Sequence, residues 1–188
     1  MNTAAYNFSF LLLLAVLFSC NKPSSVSEAE AAKEQDLFPE ELTTFTSYEK
    51  NPLFTGTGGD TWDEAIRERG YILREDDGYH LWYTGYREPS KERSLALGYA
   101  TSADGIVWTR YQGNPIFSEN WVEDMMVVKH DSLYYMFAEG KGDIAHLLTS
   151  SDKLRWIDHG SLQIQRANGE PLTPGPYGTP TVFNDDGV

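Results

Sequence analysis

The segment Leu97–Trp108 recurs in altered form at Ala145–Trp156. In both copies an apolar stretch runs into Thr-Ser, then a small residue, Asp, a turn and Trp. A repeat of roughly 50 residues built from short strands is the mark of a β-propeller blade, a unit that cannot bury its apolar face without a neighbouring copy. Asn51-Pro52-Leu53-Phe54 and Asn114-Pro115-Ile116-Phe117 form a second echo, each preceding a blade. Its Pro suits an edge or connection.

The repeat sets the strand register. Blade one spans about 65–112. Tyr71–Arg74 is its first strand, Glu75-Asp76-Asp77-Gly78 a hairpin turn, and Tyr79–Thr84 the return. Asp-Gly between apolar runs is a strong hairpin signal. Leu95–Thr101 is the third strand, and the fourth starts at Val107. Blade two, about 121–165, repeats this with Met125–Lys129, a turn at His130-Asp131-Ser132, Leu133–Ala138, Ile144–Thr149 and Trp156. Blade three begins near 177 and reaches a turn at Asn184-Asp185-Asp186-Gly187. The predicted class is all-β: a propeller, of which about two and a half blades are present. Rings close at about 4–8 blades, so the reading expects a partial chain.

Residues before this domain read differently. Phe8 to Phe18 is an apolar run of signal-peptide length followed by Ser19-Cys20, a pattern resembling a bacterial lipobox. The expected organisation is a lipoprotein signal at 1–19, lipidation at Cys20, a polar tether at 20–44 and the propeller domain at 45–188. That places the protein at the bacterial cell envelope, touching the membrane only through its N-terminal lipid. A net charge of −13 argues against nucleic acid as a partner, since that needs a basic footprint.

In an antiparallel hairpin, residues before the first strand and after the second return to one end. Blade two thereby gathers Glu123, Asp124 and Glu139. Aligning Tyr83-Thr84-Gly85 with Ala138-Glu139-Gly140 sets Glu68 against Glu123 and Arg69 against Asp124. These four acids are the candidate catalytic residues. Arg67, Arg69, Trp62 and Trp121 are the candidate substrate-binding residues. Clustered carboxylates can be pushed apart in pKa, one held protonated and one kept ionised by an arginine. That is the requirement for acid/base cleavage of a glycosidic bond, and aromatic faces stack on sugar rings. Asp104 and Asp152, by contrast, sit at turns and read as structural. Trp108 and Trp156 read as packing between blades. The four histidines show no metal spacing. No cofactor is expected, with a structural calcium ion left open.

Tyr83-Thr84-Gly85, Gly98-Tyr99-Ala100-Thr101-Ser102, Asp104-Gly105-Ile106-Val107-Trp108, Asn114-Pro115-Ile116 and Gly178-Thr179-Pro180-Thr181 resemble the five-bladed β-propeller glycosidases. This is the superfamily of arabinanases, levansucrases and invertases, with glycoside hydrolase families 43 and 32 as its best-known members. The resemblance covers about Asn51 to Val188. It implies a five-bladed ring and a three-carboxylate funnel on its axis, comprising a base or nucleophile, a pKa-tuning aspartate and a glutamate acid. Asp124 falls where the superfamily often carries an Asp. Arg69-Gly70 departs from the Asp usual in the first blade, and Thr179-Pro180 stands where a further acid is expected. Three functions follow as expectations. The first is a hydrolase of oligo- or polysaccharide O-glycosidic bonds. The second is a non-catalytic carbohydrate-binding lipoprotein, and the third, motivated by Arg67 and Arg69, is a glycoside phosphorylase.

Overall fold

A computed structural model of the chain describes residues 39–67, 69–87, 95–172 and 178–182. Cys20, the signal at 1–19, most of the tether, Glu68, Tyr177 and the turn at 184–187 lie outside the described residues. The chain divides into a unit Met1–Ser47 and a unit Tyr48–Val188. Of the first, the structure describes a short 3-10 turn, Glu40–Leu42.

Among its described residues the second unit carries nine strands: β1 (Ala65–Ile66), β2 (Tyr71–Glu75), β3 (Gly78–Tyr86), β4 (Ala96–Ser102), β5 (Thr109–Arg110), β6 (Glu123–His130), β7 (Leu133–Gly140), β8 (Ile144–Ser150) and β9 (Ile157–Ser161). They form two antiparallel sheets. In the first, β3 pairs with β1 and β2 on one side and with β4 on the other, and β5 follows β4. The second runs β6-β7-β8-β9. Each sheet is a four-strand meander, with β1 and β2 acting as one interrupted first strand. These are two blades of a propeller.

Alternation along the strands decides which face meets the neighbour. Trp82, Leu97 and Tyr99 from blade one pack with Met125, Val127, Tyr134, Met136, Ala138, Leu148 and Trp156 from blade two. Residues of the opposite register in blade one, Leu81, Tyr83 and Ala100, pack with Phe54, Trp62, Ile66 and Trp108. Both faces of the first blade are therefore apolar, as a stacked blade requires.

The repeated motif builds the turn after the third strand. Asp104 accepts backbone N–H bonds from Ile106 at 2.8 Å and Val107 at 2.9 Å, and Asp152 does so from Leu154 at 3.0 Å and Arg155 at 2.7 Å. Ser102 and Ser150 donate to the same aspartates. Gly105 and Lys153 both take left-handed backbone, at φ 76° and 71°. Their carbonyls accept the indole N–H of Trp108 and Trp156, at 3.2 and 3.0 Å. The turn acids are structural, as expected.

Candidate active site

The strand ends at 65–67, 86, 96, 123, 140 and 144 lie at one end of their sheets, and Glu123, Asp124 and Glu139 gather there. Glu123 opens β6 directly across from Glu139 near the end of β7. Facing residues of this kind sit roughly 5 Å apart at Cβ. Between Glu123 and Met126 the ladder slips by one residue, and Asp124 sits in that bulge with φ 48°. Left-handed backbone at a non-glycine residue is uncommon, though Asp tolerates it best. A bulge re-aims a side chain, and here it brings a second acid in beside the first.

Both arginines are engaged by these acids. The Arg67 guanidinium binds Glu123, whose side chain is 3% exposed, and the Trp121 indole N–H donates to the other Glu123 oxygen at 2.8 Å. Arg69 holds Asp124 at 2.8 Å. Blade one thus supplies the cations and blade two the anions. Thr84 reinforces the seam by donating its hydroxyl to the Val122 carbonyl at 2.9 Å.

The register of blade one corrects one expectation. Ile66 pairs with Gly85, but Tyr71 pairs with Trp82, so the first strand carries two extra residues there, against one in blade two. Arg67 donates its N–H to the Thr84 carbonyl at 2.9 Å. It therefore stands at the ladder position of Glu123, where the alignment of the repeats sets Glu68. Arg69 keeps the position of Asp124 when counted from the inner strand.

Glu139 has the environment of an acid. Burial pushes its carboxyl up, a hydrogen bond with Asp143 and the charges of Asp143, Asp124 and Glu123 push it further, and it reaches about 7. Each of these causes disfavours the anion. Asp143, which sequence reasoning missed, lies in the three-residue turn between β7 and β8 at φ 59° and closes that turn by donating its N–H to the Gly140 carbonyl at 3.1 Å. Its signal was available: an Asp four residues after Glu139 in a glycine-flanked turn returns to the same end of the sheet.

Trp62 is placed differently from Trp121. It stacks on Tyr83 with ring centroids 5.7 Å apart and lies over Gly85 and Gly98, as part of the apolar cluster of blade one. At the other end of the sheets, Glu75, Asp77 and His80 have the spacing of a metal group. Lys129 and Lys153 already place their ammonium groups on Glu75, at 2.8 and 2.6 Å.

No protein-family model matches the chain. Solved structures do. One is BT0996, solved as an RGII complex, with 21% identity and a TM-score of 0.51 over 62% of this chain and 39% of that one. Another represents the GH130 family of mannoside phosphorylases, which contains glycoside hydrolases that target β-1,2 mannosidic linkages in Candida mannan. It is 19% identical, with a TM-score of 0.51 over 65% of this chain and 42% of that one. The chain spans about two-fifths of the length of these structures. The likeness shows the fold: the two sheets are blades of a β-propeller.

Proposed function

We propose that this chain carries part of a glycosidase site that cleaves O-glycosidic bonds of an oligo- or polysaccharide. The observation that supports it best is Glu139, raised to about 7 beside two carboxylates held by arginines. In this reading Glu139 is the general acid. It gives its proton to the glycosidic oxygen as the bond to the anomeric carbon breaks. Asp124 serves the opposite role, either taking a proton from the attacking water or attacking the anomeric carbon itself. Glu123 is bound by Arg67 and Trp121 on its two oxygens, so its part is to hold the arginine and to keep Glu139 protonated. Trp121 offers the aromatic face nearest these acids in sequence. The protein is held at the bacterial cell envelope by a lipid on Cys20.

Release of reducing sugar from a panel of O-linked oligosaccharides is the test. Glu139→Gln is expected to lower kcat by about 10²–10⁴-fold, the usual worth of a general acid. Turnover that requires inorganic phosphate would assign a phosphorylase instead. Tight binding of a glycan with no turnover by the parent protein would assign a binding module and overturn the catalytic reading.

A further inference from the structure

We propose that Gly178 is a positioning residue for Glu139: its backbone packs close against the Glu139 carboxyl, holds it in place and shields it from water. The third repeat offers no acid at this point, only Gly178-Thr179-Pro180. A Cβ at Gly178 would stand 2.5 Å from Glu139 Oε2, 2.6 Å from Cγ and 2.7 Å from Cδ. A side chain there would require the Glu139 carboxyl to move. Gly178 is itself buried.

The segment has a second anchor on the same face. The Val182 N–H donates to the Met126 sulfur at 3.0 Å, and Met126 faces Phe137, two residues from Glu139 on β7. Residues 178–182 therefore begin over the acid and run along the far face of blade two to Met126. The charged groups that act on Glu139 are Asp143 on the β7–β8 turn and Asp124 and Glu123 on β6, the last two bound to Arg69 and Arg67. The three acids disfavour the anion by charge. The Gly178 backbone adds the exclusion of water, so the third repeat contributes a wall where the family resemblance implies a carboxylate.

This inference rests on the reading of Glu139 as the acid, but its test needs no substrate. The Glu139 carboxyl of the full chain is titrated by ¹³C NMR. In the parent the midpoint is expected near 7. In Gly178→Ala the methyl group forces the carboxyl out toward water, and the midpoint is expected to fall by about one unit or more. An unchanged or higher midpoint overturns the proposal. If Gly178→Ala does not fold, Glu139→Asp in the same chain shortens the acid by one methylene and is expected to restore folding. Failure of that rescue also overturns it. The expected Gly178→Ala shift in a protein that releases no sugar would sink the glycosidase reading and leave the role of Gly178 standing.

Discussion

At pH 8 Glu139 is an anion facing Asp143, Asp124 and Glu123, and at pH 6 it is neutral. The folded midpoint of about 7 lies above the ordinary 4.5. Between those values the folded chain keeps a proton that the unfolded chain has lost, so stability falls as pH rises through this window. The favourable contribution is complete below pH 4.5 and gone above about 7. Glu139→Gln does not titrate. Relative to the parent it is expected to be more stable at pH 8 than at pH 4, by about 1–2 kcal/mol once partial contact with water is allowed for. Urea denaturation at the two pH values measures this, and an equal difference at both would refute it. Acidity at 139 was legible from the hairpin ends alone. The identity of its partners was not. Arg67 reaches the ladder position of Glu123 only because the first strand of blade one carries two extra residues, and a bulge of that size leaves no mark in the spacing of apolar residues. Gly178 acts through backbone contact, which residue type does not announce, whereas Asp143 was readable from its place in the β7–β8 turn.

Strand positions followed from the repeat to within a residue or two, because alternation and the Asp-Gly turn both constrain a hairpin. The join between hairpins was harder to read. Glu75 closes β2 and looks like a turn acid. Burial opposes its ionisation, but hydrogen bonds from Lys129, Lys153 and Tyr134 outweigh that and hold its carboxyl at about 2. Lys153 also approaches the buried His80 Nε2 at 3.0 Å, and the His80 Nδ1 lies 2.6 Å from the Tyr99 hydroxyl. The turn of one blade thus grips the hairpin of the other. A carboxyl with a lowered midpoint stabilises the fold above pH 4.5 and loses that contribution as pH falls toward 2. The parent is therefore expected to lose about 2 kcal/mol across that window that Glu75→Gln does not lose, after discount for solvent. Acid titration followed by tryptophan fluorescence reads it. Parallel acid transitions in the two proteins would show that the grip contributes nothing.

Across the whole molecule, no helix among the described residues is long and apolar enough to cross a membrane. The proposed attachment is a separate matter, resting on the Ser19-Cys20 pattern of the sequence. Labelled palmitate fed to cells is expected to enter the parent protein, which should sediment with membranes. Cys20→Ala should lose both label and sedimentation, and retention of the label would remove the anchor from the account.

The seam between the blades has a consequence for their order. The carbonyl of Lys153 accepts two indole N–H groups, from Trp156 of its own blade at 3.0 Å and from Trp82 of the preceding blade at 3.1 Å. By the same alignment, the residue of blade two that matches Trp82 is Phe137, which has no N–H to give. A second copy of blade two placed before the original would leave Lys153 without its cross-blade donor. The two repeats are therefore not interchangeable, and a single indole N–H acts as a label that says which blade comes first.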